Sequence, residues 1–208
     1  MCLFPYMYVV IWIEHLYIIA SSQTDYCSKM TSTRELEDTL PLTSPIPRNG
    51  GFEDRKIAIY TTLPLETSQL QQLEQDLRDA NGISDEDDAQ LSPHPHFNTL
   101  LDIYNHHISL SKKDNEPSQH DPSYFIVADQ EDWKSNGVLF VNLTADTEQR
   151  GSFVGVCRCD LEIATHIKAN LEVGNMDWVD YKEMEQEEFG GESVYGNERY
   201  YPEKDPSK

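Results

Sequence analysis

Two near-copies of one short phrase, Asp129-Gln130-Glu131-Asp132-Trp133 and Gly174-Asn175-Met176-Asp177-Trp178, hold the side chains best suited to chemistry in this sequence. Each sets carboxylates or amides beside an indole, a combination able to coordinate a cation or hold a polar ligand. With Asn170 just upstream, the candidate ligand-binding set is Asp129, Asp132, Trp133, Asn170, Asn175, Asp177 and Trp178. The same residue types also cap helices and close turns, and two Trp at matching offsets also suit lids on a core.

No residue is assigned a catalytic role. The chain lacks a Gly-x-Ser-x-Gly elbow, and the stretch from Thr61 to Glu66, after the first strand, has no glycine with which to cradle a phosphate. Cys157 and Cys159, spaced i, i+2 in a strand, share one face and read as small core residues. Zinc would need two more ligands, and His166 is the only neighbour in sequence, so neither metal nor cofactor is expected. Ser84 to Pro95 carries the run Asp85-Glu86-Asp87-Asp88, which lacks the alternate oxygens, central glycine and distal glutamate of an EF-hand, and the stretch reads as a solvated loop. His106 and His107 point about 100° apart on a helix and read as surface or flank residues.

The elements that must position the candidate set are legible from hydrophobic pattern. Tyr124 to Val127, Val138 to Val141 and Phe153 to Cys157 are short, rich in β-branched and aromatic residues, and read as the centre of a sheet. Lys56 to Thr61 is a first strand ended by Pro64, and the polar turn Thr144 to Gly151 pairs the last two runs antiparallel. Leu70, Leu73, Leu77 and Ala80 line one helix, with Glu74, Asp76, Arg78 and Asp79 on its exposed side. Phe97 to Ile108 and Asp160 to Leu171 give two more helices, and Trp178, Tyr181 and Met184 stripe a last one. Asn170 to Val173 returns to β character, and one helical turn near Asp129 sets Trp133 over the sheet. The fold class expected is mixed α/β: one four- to five-stranded mixed sheet, about four covering helices, and disordered N- and C-terminal extensions. Strand ends carrying the candidate residues place any ligand site at the sheet edge.

The expected domains are an apolar leader or extension over 1–29, a disordered Thr/Ser/Pro-rich leader over 30–54, the α/β domain over 55–190, and an acidic, Tyr-rich tail over 191–208. The uninterrupted apolar run Tyr6 to Ile13 is far below the roughly 20 residues that span a bilayer, and no Lys or Arg precedes it as a secretory signal requires. A cytoplasmic location is expected, in keeping with four cysteines in no regular framework. Action of residues 1–20 as a signal peptide would make the protein secreted. The formal charge of −21 repels nucleic acid and anionic membrane surfaces, and the partner expected is a basic protein recruited by the acidic tail.

At Phe125-Ile126-Val127-Ala128-Asp129, Gly137-Val138-Leu139-Phe140-Val141 and Asn170 to Trp178, the chain resembles a family of uncharacterised bacterial and fungal α/β domains, a domain of unknown function. The resemblance covers about Lys56 to Gly191 and implies a small α/β fold. It brings no activity, cofactor or catalytic residue. The function expected is a non-catalytic protein-interaction or ligand-binding module. The alternative is a small enzyme or metal-dependent binder built on Asp129, Asp132, Asn175 and Asp177.

Overall fold

The computed structural model describes residues 32–47, 55–80, 89–91, 97–111, 120–147 and 150–202. The apolar leader, the acidic run 85–88 and residues 203–208 lie outside the described residues. All the described elements belong to the unit Thr33–Lys208.

Five strands form one mixed sheet: β1 (Lys56–Thr61), β2 (Ala89–Leu91), β3 (His120–Ala128), β4 (Val138–Thr147) and β5 (Gly151–Cys159), in the order β2-β1-β3-β4-β5. β2, β1 and β3 run parallel, and β4 and β5 complete the sheet antiparallel. β3 and β4 are the central strands because their sequences are apolar on both faces and are buried along almost their whole length.

Strand alternation sorts the core into two layers. Ile57, Ile59, Ile126, Phe140, Cys157 and Cys159 face α2 (Thr67–Ala80), α5 (Leu161–Val173) and α6 (Trp178–Phe189). Ala58, Tyr60, Phe125, Val127, Leu139 and Val156 face α3 (Leu100–Ser111) and the segment that follows α1 (Thr33–Asp38). With the one-turn α4 (Trp133–Asn136), six helices occur among the described residues.

Several expectations change. Part of the expected leader is a packed strap, in which α1 presents Leu36 to the sheet and the following chain adds Leu40 and Ile46. Part of the expected tail packs on the opposite layer through Val194 and Tyr200, both buried. β2 lies in the stretch read as solvated loop, where three residues suffice to pair with β1. Asn170 to Val173 is the last turn of α5, not a strand, and Gly174 closes that helix in the left-handed conformation at φ 67°. Asp76 and His107, read as surface residues, are buried.

A bulge in β4 shapes the β4–β5 hairpin. Asn142 pairs with Gly155 and Ala145 with Phe153, so two residues of β4 oppose one of β5. The Asn142 side chain fixes it, accepting from the Thr144 amide at 2.8 Å and the Thr144 hydroxyl at 3.2 Å. The glycosylation sequon Asn142-Leu143-Thr144 is thus a buried backbone device. Opposite it, Gly155 admits the Trp178 indole so closely that a Cβ there would lie 2.5 Å from Cε2. Gly155→Ala is expected to destabilise the fold by about 1–3 kcal/mol by overpacking, read from the urea midpoint. An unchanged midpoint would contradict this packing.

Candidate functional site

The sequence places its candidate residues at strand ends, and the structure gives each a role in capping, pairing or packing. Asp129 follows β3 at the edge where the chain leaves β1 toward β2 and leaves β3 toward β4, the kind of divergence at which open α/β sheets bind ligands. Here the gap is stitched. The Thr62 amide and Thr61 hydroxyl both donate to the Ala128 carbonyl, at 3.2 and 3.0 Å. Asp129 itself is held by Arg158 of β5, whose two guanidinium nitrogens donate to its two carboxylate oxygens at 3.0 and 2.7 Å. Arg158 also donates to the Asn136 carbonyl, and its side chain is only 2% exposed. This forked pair satisfies both buried charges.

Asp132 caps α4, accepting from the Ser135 amide at 3.3 Å. The adjoining Trp133 is buried, and its indole N–H donates to Asp76 of α2 at 3.0 Å. Gln72 and Lys134 complete the shell of the Asp76 carboxylate at 2.7 and 3.0 Å. These donors outweigh the opposing effect of burial and hold the Asp76 carboxyl below its ordinary pKa. Trp133 is therefore pinned between two helices.

The second phrase closes the turn from α5 to α6. The Asn170 carbonyl accepts from the Asn175 amide at 3.0 Å, and their side chains meet at 3.2 Å. Asp177 is the N-cap of α6 in a reciprocal capping box with Asp180. Trp178 is buried beneath it against Gly155. The two phrases stand at opposite ends of α6. Gly137, just past Trp133, sits against the Phe189 ring, while Asp177 caps the other end. Twelve residues at about 1.5 Å rise separate these ends by about 18 Å.

A buried polar cluster lies elsewhere, along the outer edge of β5. Glu37 of α1, 1% exposed, accepts from the Val156 amide at 2.8 Å and from the Tyr200 hydroxyl at 2.5 Å. Lys182 of α6 donates to the Val156 carbonyl at 2.9 Å and pairs with Glu185. Arg199 donates to the Val154 carbonyl at 3.2 Å and lies 3.7 Å from Glu37. Burial raises the Glu37 carboxyl above its ordinary value, against the pull of Lys182, Tyr200 and Arg199. Burial likewise raises the Cys157 thiol, which disfavours the nucleophilic thiolate. Sequence reading missed this cluster, although Glu185 shares the helical stripe of Trp178 and Tyr181 and so signals an inward carboxylate.

On the other layer, His107 meets the Tyr60 hydroxyl at 2.9 Å through Nδ1. Burial drives its pKa down to about 3, and the nearby charges of His120 and His106 act in the same direction. Among the described residues, no three His, Cys, Asp or Glu side chains are grouped to hold a metal ion, and no helix is long and apolar enough to cross a membrane.

A family model described as Domain of unknown function (DUF6924) matches residues 68–192. The chain belongs to this family. The DUF6924 match spans α2 through α6 and includes every residue of the candidate set. No curated protein and no solved structure matches the chain.

Two outcomes follow from these roles. Asp129→Ala, which leaves Arg158 buried and unpaired, is expected to cost about 3–5 kcal/mol, whereas Asp132→Ala and Asp177→Ala each cost about 1 kcal/mol as lost caps. Urea unfolding separates these values, and equal small losses would contradict the buried pair. The depressed folded-state pKa of His107 adds stability above pH 6.5 that is lost as pH falls toward 3. Between pH 6.5 and 4 the native chain should lose roughly 3 kcal/mol more than a His107→Gln variant. Parallel pH profiles would show that His107 is not buried neutral.

Proposed function

We propose that the protein is a non-catalytic binding module whose partner is a basic protein. The carrying observation is at the C-terminal end of α6, where exposed Glu187 and Glu188 stand beside exposed Asp160. No Lys or Arg occupies the last turn of that helix. A helix C-terminus favours cations, so carboxylates gathered there oppose the helix dipole as well as one another. Burial raises the Glu188 carboxyl, and the Asp160 and Glu187 charges add to the rise. Such repulsion contributes nothing to the fold and is relieved by a partner's Lys or Arg. With a net charge of −21, the whole molecule would also steer a basic partner toward this end.

The tail enters this reading differently from its sequence expectation. Its described part is held to the β4–β5 turn, with the Thr147 hydroxyl donating to the Tyr200 carbonyl at 2.9 Å and Arg150 donating to the Arg199 carbonyl at 2.8 Å. The proposed contact surface is therefore Glu187 and Glu188 of α6 with Asp160, in place of the tail. The alternative, a small enzyme or metal-dependent binder on Asp129, Asp132, Asn175 and Asp177, would have to break an ion pair, two caps and a helix-end clasp to free its donors. Two unpaired, buried thiols suit the reducing cytoplasm proposed as its location.

Binding of a Lys-rich peptide, followed at low and at high salt, tests the reading. The expected affinity falls steeply with salt, and a variant carrying Asp160→Asn, Glu187→Gln and Glu188→Gln binds roughly tenfold more weakly. Equal binding by the variant, or binding indifferent to salt, would remove the proposal.

A further inference from the structure

The strap and the tail belong to distant parts of the chain but meet across the outer edge of β5. The strap puts Leu36, Leu40 and Ile46 on one layer of the core, and the tail puts Val194 and Tyr200 on the other. Between them, the Val154 amide donates to the Leu42 carbonyl at 2.9 Å and the Val156 amide to Glu37 at 2.8 Å, both partners in the strap. The Val154 carbonyl accepts from Arg199 of the tail.

Strap and tail are also joined directly. Tyr200 donates to Glu37 at 2.5 Å, Arg199 donates to the Pro41 carbonyl at 3.4 Å, and Arg34 pairs with Glu192 at 2.8 Å. Loss of the tail would strip buried Glu37 of the Tyr200 hydroxyl and the Arg199 charge. Loss of the strap would strip Tyr200 of its acceptor. Each half leaves an unsatisfied buried group in the other, so neither half is stable while the other is released.

We infer that the strap, Thr33 to Pro47, and the tail, Gly191 to Tyr201, form one latch that opens and closes as a unit over the edge of β5. Its open state presents the outward N–H groups of Val154 and Val156 and the Val154 C=O, the kind of groups an extended chain uses to add to a sheet, while Lys182 of α6 keeps the Val156 carbonyl. This inference is independent of the acidic end of α6.

Hydrogen exchange on the full chain tests it. Tyr200→Phe removes one hydroxyl from the tail, yet the Val154 and Val156 amides, bonded only to the strap, should exchange about tenfold or more faster, together with the Tyr201 amide. The central Ile126 amide reports global unfolding and serves as the reference. Faster exchange confined to the tail, with Val154 and Val156 unchanged relative to Ile126, would overturn the latch. A second measurement needs no variant. In native-state exchange of the natural chain with rising urea, the Val156 and Tyr201 amides should follow one opening isotherm distinct from that of Ile126. Two separate isotherms for strap and tail would overturn it equally.

Discussion

An edge strand within a folded core must find partners for backbone groups that no neighbouring strand supplies, and here that strand is β5. Its outward N–H and C=O groups at Val154 and Val156 cannot be left dry, because an unsatisfied buried backbone group costs as much as the hydrogen bond it lacks. Four groups from three segments supply the bonds: the Leu42 carbonyl, Glu37, Lys182 and Arg199. Three of the four carry charge, so the solution imposes a second requirement. Glu37, Lys182, Glu185 and Arg199 must neutralise one another, and their formal charges balance as two anions and two cations. The packing of α1, the seating of α6 and the course of the tail all follow from that requirement. It also blunts an edge that would otherwise offer itself for pairing.

The residues that look most chemical in the sequence are spent on local architecture. Asp132 and Asp177 cap helices, Asn170 and Asn175 clasp a helix end, and Trp133 and Trp178 fill the core. Asp129 is committed to Arg158. An Asp before a Trp recurs for a plain reason: the carboxylate starts a helix and the indole anchors its first turn on the sheet. What remains exposed and unspent is acidic surface, which is why the functional reading rests on charge and not on a constellation of catalytic groups.

The parts of the fold governed by local pattern were legible from residues alone. The β3, β4 and β5 runs stand out because burial on both faces demands continuous apolar sequence, and the Leu73 and Leu77 spacing identifies α2. Cys157 and Cys159 fell on one core face as a period of two dictates. The errors concern polar residues whose burial depends on remote partners. Asp76 looks solvated on its helix until Trp133 donates to it from 57 positions away. Glu37, in a stretch rich in Ser, Thr and Pro, looks disordered until Tyr200, 163 positions on, completes its site. Leu171 and Val173 suggested a strand, but the helix runs on to Gly174 because the left-handed glycine, not the β-branched residue, decides its end. β2 has only three residues and so too little length for an alternation to show.

The central claim is that buried charges from α1 and α6 act together to close the edge of β5, and a double-mutant cycle on Glu37→Gln and Lys182→Met measures that cooperation directly. With both side chains on Val156 and in one electrostatic network, the unfolding free energies should depart from additivity by about 1 kcal/mol or more. Additivity within about 0.3–0.5 kcal/mol would mean the two residues act independently, and the account of the edge would fail.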